Sequence, residues 1–331
     1  MSVKRDNVRL QFLILTLGFV LMGIKFFTWY LTRSNTILTD ALESIVNVLA
    51  GGFALFALWL SARPKDEDHP YGHGKIEFIS AGFEGALILL AGLSIIAKSI
   101  YNLFYPAEIS SLDLGIYLSV ATGAANYLFG VVLEKRGRKV RSLAMVASGQ
   151  HLKSDGYTSA GMIAGLLLII LTDILWLDSA IAIVMGSVIV FMGGKIVRKS
   201  LAGIMDEADL EVIDEMLEIL NRNRKENWID VHNLRVIKYG TTYHIDSHVT
   251  LPWYIDLKMA HHQIEEMAKI IESEAQNDVE FFIHTDPCTD DSCAICEIKD
   301  CPARKMKFEK KINWSRTTLL ANLKHTRDTQ S

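Results

Sequence analysis

The chain has 331 residues, 50% of them apolar and 22% charged, with a formal net charge of −4 and a mean hydropathy of +0.22. So small a charge imbalance, with no basic patch interleaved with aromatics, excludes nucleic acid as a partner. Apolar and charged residues are segregated: 1–203 is a series of long apolar runs, whereas 205–331 reads as soluble sequence.

A membrane-spanning helix needs about 20 mostly apolar residues. Six stretches are long enough, at about 9–31, 36–61, 78–104, 112–133, 144–171 and 176–197. The first is too long for the apolar core of a signal peptide and no small-residue cleavage site follows it, so it reads as a retained helix. It carries Lys25, which can face the bundle or snorkel to the interface. The second and fifth contain polar residues that weigh against them by hydropathy alone.

The connections divide by charge. Lys4, Arg5 and Arg9 precede the first span; Arg63, Lys65 and Lys75 lie between the second and third. Lys135, Arg136, Arg138, Lys139 and Arg141 lie between the fourth and fifth, and Arg198 and Lys199 follow the sixth. The other three loops hold little more than Arg33, Glu108, Asp113, Asp173 and Asp178. The positive-inside rule then puts both termini in the cytosol with six crossings. The absence of an organellar targeting segment before the first span points to a bacterial plasma membrane.

Beyond the spans, 208–222 suits an amphipathic helix, 228–237 and 243–251 read as strands split by Tyr239-Gly240, 256–274 as a helix and 279–284 as a strand. This αββαβ order predicts a small ferredoxin-like α/β domain over 204–287 behind a six-helix membrane domain over 1–203. The remaining segment, 288–331, is Cys-rich and then basic, and its polar end is expected to be loosely ordered.

Charged residues inside apolar helices carry the functional signal. Glu43 and Asn47 on the second span are four apart, as are His151 and Asp155 on the fifth, so each pair shares a helical face. An ionised group at mid-membrane costs about 2.5–3.5 kcal/mol even on lenient scales. Together the pairs offer two carboxylates, an imidazole and an amide oxygen, a four-ligand set for a divalent cation. Lys153 points away from the His151/Asp155 face and reads as structural. Asp66, His69 and His73 in the loop after the second span form a second candidate site. His232, His248, His261, His284 and Asp286 in the soluble domain form a third. A fourth is Cys288-x4-Cys293-x2-Cys296-x4-Cys301: as free thiols in a reducing compartment, these would suit a zinc thiolate cluster.

These features together resemble the cation diffusion facilitator family. The likeness runs from about residue 10 to 287. It is most specific in the segment 39–47, in His69-Pro70-Tyr71-Gly72-His73-Gly74-Lys75, in His151-x3-Asp155 and in Ile283-His284-Thr285-Asp286-Pro287. The resemblance implies a homodimeric metal/proton antiporter whose transport site falls on Glu43, Asn47, His151 and Asp155. It also implies a loop site on Asp66, His69 and His73, and a binuclear cytosolic site on His232, His248, His261, His284 and Asp286. A charge interlock between protomers near the membrane surface would fall on Lys75 and Asp206. One departure is Asn47, where many members carry a titratable ligand. Proton coupling then rests on Glu43, His151 and Asp155, and the harder amide oxygen leans toward manganese or ferrous iron while His151 pulls back toward zinc. Zinc stays first, with iron, manganese, cobalt and cadmium behind it.

The expected activity is efflux of a divalent transition metal from the cytosol in exchange for protons. No GxSxG or Walker-type segment supports a hydrolase. The alternative is a membrane-bound sensor that binds metal without moving it.

Overall fold

Long apolar runs have one low-energy solution in a bilayer, the helix, because every backbone polar group is then paired within its own segment. The computed structural model describes residues 2–32, 35–105, 114–172 and 176–329. Arg33, Glu108, Asp113 and Asp173, which entered the charge tally of the loops, lie outside these residues. The chain divides into two compact units, Met1–Met205 and Asp206–Ser331.

The first unit contains α1 (Ser2–Thr32), α2 (Asn35–Ser61), α3 (Ile76–Phe104), α4 (Leu114–Lys139), α5 (Leu143–Thr172) and α6 (Trp176–Ile204). Among the described residues, stretches in α1, α2, α3 and α6 are long and apolar enough to cross a membrane. The apolar run of α4 is followed, within the same helix, by Glu134, Lys135, Arg136, Arg138 and Lys139. α5 is interrupted by Gln150, His151, Lys153 and Asp155.

α3 packs most extensively on α6, and α4 on α5. The second contact needs glycine. A Cβ on Gly149 would stand 2.6 Å from the Glu134 backbone nitrogen, and one on Gly130 would stand 2.6 Å from the Gly149 carbonyl oxygen. The buried Glu77 at the start of α3 gathers helix ends: it accepts from Ser61 Oγ at the end of α2 (2.7 Å) and from the Ser142 hydroxyl just before α5.

The second unit follows the expected order: α7 (Leu210–Arg222), β1 (Asp230–Tyr239), β2 (Thr242–Leu251), α8 (Leu257–Glu274) and β3 (Val279–Pro287). α7 is capped by Asp209, whose side chain accepts from the Glu211 amide, and buries Val212, Ile213, Met216, Ile219 and Leu220 along one face. β1 and β2 form an antiparallel hairpin that turns at Gly240, whose φ of 62° suits glycine. α8 then crosses over to bring β3 parallel to β2, and the sheet order is β1-β2-β3.

The end of the chain corrects an expectation. The segment over 304–331 read as loosely ordered, yet Ile312, Trp314 and Leu319 are buried in the same core as the sheet and α7. Arg224 donates to the Ile312 carbonyl (2.6 Å) and stacks its guanidinium 4.1 Å from the Trp314 ring centre. Three apolar residues scattered through a polar stretch carry no periodicity, so the pattern hides how much each stabilises: about 1.5–3 kcal/mol for a buried large side chain.

Gly149→Ala is expected to force α4 and α5 apart at a cost of ~1–3 kcal/mol, read as a lower melting temperature of the detergent-solubilised chain. Gly194→Ala, where a Cβ meets nothing within 4 Å, is expected to leave it unchanged.

Candidate metal-transport and metal-binding sites

α2 and α5 bring three of the four expected membrane residues into hydrogen-bond contact. Asn47 Nδ2 donates to Asp155 Oδ2 at 2.7 Å, and Asn47 Oδ1 lies 2.9 Å from His151 Nε2. A carboxylate only accepts, so Asn47 faces Asp155 with its NH2 and His151 with its oxygen. His151 must therefore carry its proton on Nε2. Its Nδ1 is buried without a hydrogen-bond partner. Glu43, one turn earlier on α2, is exposed and lies within electrostatic reach of His151.

Several participants were not anticipated. Asn126 of α4 donates a second bond to Asp155 Oδ2 at 3.2 Å. Asn47, Asn126 and His151 open onto a cavity also lined by Gln11, Lys25, Glu84 and Ser148. Lys25 thus faces the bundle, and Glu84 is an almost fully buried carboxylate on α3 that a single acidic residue in an apolar run did not reveal. Lys153 reaches Glu134 at 2.8 Å, where Gln150 and Arg138 also donate, and so ties α5 to α4 away from the transport face.

In the loop, Asp66, His69 and His73 each offer a ligand atom within 4.8 Å of the others. Asp66 Oδ1 accepts from the His69 backbone (2.7 Å) and lies 3.0 Å from its Nδ1, while Oδ2 is 3.2 Å from His73 Nε2. Against the desolvation that would raise it, the bonds from His69 hold the Asp66 carboxyl below the ordinary carboxylate range.

The soluble site is a product of sheet register. His232 pairs with His248 across β1 and β2, and His248 with His284 across β2 and β3, so three imidazoles stand in one row. Ring centres are 5.2 Å apart for the first pair and 4.6 Å for the second. Asp286, two residues beyond His284, reaches the row: its Oδ2 is 3.1 Å from His248 Nδ1 and 3.5 Å from His232 Nε2. His232, His248 and Asp286 have ligand atoms within 4.8 Å of one another. His284 is more exposed and 3.8 Å from Asp286. Within the chain His261 stands apart from this row, exposed on α8 beside Glu265. The helical placement of His261 gave no sequence sign of its distance from the strands.

Behind the row lies an unanticipated buried carboxylate. Asp230 Oδ2 is 3.0 Å from His232 Nδ1, and its Oδ1 is 2.5 Å from Nδ1 of His325 near the chain's end. Burial alone would raise the Asp230 carboxyl; the bonds from His232 and His325 outweigh it and hold the group well below the ordinary carboxylate range. A carboxylate on the far nitrogen of a ligating histidine orients the ring and sharpens its other nitrogen as a donor.

The four cysteines are free thiols at the end of β3 and in the loop that follows. Lys75 stands at the N-terminal cap position of α3 in the first unit, and Asp206 is the first residue of the second.

Comparison with known proteins matches this arrangement twice. Residues 11–205 match the cation efflux transmembrane domain, and residues 208–288 the cytoplasmic domain of cation efflux proteins. The chain belongs to the cation diffusion facilitator family. It is similar to the uncharacterized transporter sll1263 of Synechocystis, at 33% identity over 254 residues covering 75% of this chain and 81% of that one. It is also similar to the manganese efflux system protein MneS of Bacillus subtilis, at 27% over 272 residues (81% and 91%). A third relative, the cation-efflux pump FieF of Salmonella arizonae, is 28% identical over 284 residues (82% and 90%). As a cation diffusion facilitator, the chain is a membrane-spanning efflux transporter of divalent metal cations. The segment beyond residue 288, with three of the four cysteines and His325, lies outside both matched domains.

Asp230→Ala is expected to strand His232 and His325 and to destabilise the soluble unit by roughly 3–5 kcal/mol, read as a lower melting temperature. A carboxyl held below its unfolded value stabilises fully above the ordinary carboxylate range and loses that contribution as pH falls through its folded value. The gap between wild type and variant is therefore widest near neutrality and narrows in acid.

Proposed function

We propose that this transporter exports a divalent first-row metal from the cytosol in exchange for protons, at a site formed by Glu43, Asn47, His151 and Asp155. The observation that carries this reading is the Asn47 carboxamide, which bridges His151 and Asp155 from the neighbouring helix. A metal needs the His151 Nε2 lone pair, where the hydrogen bonding places a proton. Moving that proton to Nδ1 would leave it buried without an acceptor, so metal loading favours its release. Protons arriving from the opposite side reverse the exchange by competing for the same nitrogen and the carboxylates.

Glu43 must swing toward His151 to complete the four-ligand set. Three oxygens and one imidazole admit manganese(II) and ferrous iron alongside zinc, and a relative named for manganese efflux keeps that order open. The Asp66/His69/His73 loop serves as the cytosolic entry. Both termini face the cytosol, a reading supported by the positive charges flanking the spans, and the bacterial relatives support a bacterial inner membrane. The soluble unit pairs two protomers and reads metal load through His232, His248, His284 and Asp286, with Lys75 and Asp206 as the charge interlock between protomers.

The test is uptake of zinc, manganese and ferrous iron by vesicles holding the purified chain under an imposed pH gradient. Gradient-driven uptake of at least one metal, abolished in Asp155→Ala and in His151→Ala, is the expected result. Unchanged flux in His151→Ala would refute the site, and flux indifferent to the gradient would refute proton exchange. No flux with any metal would favour a binding-only sensor.

A further inference from the structure

The chain's only four cysteines fall within fourteen residues, Cys288 to Cys301, and the fold wraps them around one pocket shared with Trp253, Tyr254 and Arg304. Cys288 follows β3, Cys293 lies in a 3-10 turn (Asp290–Ala294), Cys296 is buried just after it, and Cys301 follows on the same loop. The loop is built, not slack. The Arg304 guanidinium donates to the carbonyls of Cys293 (3.0 Å), Cys296 (3.0 Å), Ile298 (2.5 Å) and Met306 (3.3 Å), fixing the backbone around the thiols.

Donors also point at sulfur. The Trp253 amide donates to Cys288 Sγ and the Lys305 amide to Cys293 Sγ, each at 3.4 Å. Backbone N–H groups aimed at sulfur favour a thiolate as acceptor, against the burial that pushes the Cys288 and Cys296 thiols up. Arg304 adds a positive charge beside the group. All four are free thiols, so all four sulfurs are available as ligands.

We propose that Cys288, Cys293, Cys296 and Cys301 bind one zinc ion as tetrathiolate, a structural site separate from the transport pathway. Four sulfurs in a closed tetrahedral set suit zinc, which has no redox chemistry to disturb them. Binding releases the thiol protons to solvent, and Arg304 offsets part of the resulting −2 charge. Among the described residues, the groups whose ligand atoms already lie within 4.8 Å of one another are in the loop and the histidine row. The four sulfurs therefore contract around the ion, toward zinc–sulfur bonds of about 2.3 Å.

The site's place in the fold gives it a purpose. It clamps the extension at the point where it leaves β3, two residues past Asp286. That extension delivers Lys324 Nζ to within 3.5 Å of Asp286 Oδ1 and His325 to Asp230. The zinc thus holds in register the segment that supports the histidine row. This assignment does not rest on the transport reading.

The test uses the full chain in detergent, reduced, stripped of metal and titrated with cobalt(II). Wild type is expected to show the near-ultraviolet sulfur-to-cobalt charge-transfer band and the visible bands of tetrahedral cobalt, both displaced by zinc. Cys293→Ser/Cys296→Ser is expected to lose the charge-transfer band and one equivalent of tightly held zinc per chain by elemental analysis. Asp155→Ala and His232→Ala are expected to keep both. The wild-type spectrum is decisive even if the double variant folds poorly. A wild type with free thiols and no charge-transfer band would overturn the assignment. So would a band that survives in the double variant, iron with sulfide in place of zinc, or a Cys293–Cys296 disulfide that resists the reductant.

Discussion

A carboxamide held between an imidazole and a carboxylate sets the character of the membrane unit. Asn47 cannot titrate, yet its two ends dictate what its neighbours do: Asp155 receives a donor and His151 is made to hold its proton on Nε2. In apolar surroundings such a group is costly unless every end is matched. Much of the bundle serves that matching. Asn126 adds a second donor to Asp155 from α4, and Glu134 holds Lys153 away from the site. The glycines at 130 and 149 let α4 and α5 approach closely enough for Asn126 and Asp155 to meet.

The soluble unit solves a related problem with a sheet in place of a bundle. Direct pairing of His232, His248 and His284 across three strands is a matter of register, and a slip of one residue would send each ring to the opposite face. Asp230 guards the arrangement from behind, and it is completed by His325 from a segment nearly 100 residues further along the chain. The extension past the family's cytoplasmic domain therefore supports the histidine row, and the thiol pocket lies at the root of that extension.

Much of this was legible in the chain. Long apolar runs read as helices because a bilayer leaves no alternative. The αββαβ order followed from period and turn residues, with Gly240 at the hairpin as expected. The i,i+4 spacing of Glu43 with Asn47 and of His151 with Asp155 put each pair on one face through local geometry alone. The cysteine spacing also keeps the four thiols near one pocket, because short loops return their ends to the same neighbourhood.

What depends on distant approach was decided only by the tertiary structure. Glu84, Asn126, Asp230 and His325 carry no spacing signal, since each meets its partner from another element. Within one chain His261 stands on the exposed face of α8 beside Glu265, not in the row: residue type marks a candidate ligand, but a helix face and a strand register decide where it stands. The ordered end of the chain was hidden because Ile312, Trp314 and Leu319 gain their burial from a core made elsewhere. Local periodicity is written in consecutive residues and so determines the elements. Long-range complementarity is a property of surfaces that exist only once those elements have packed.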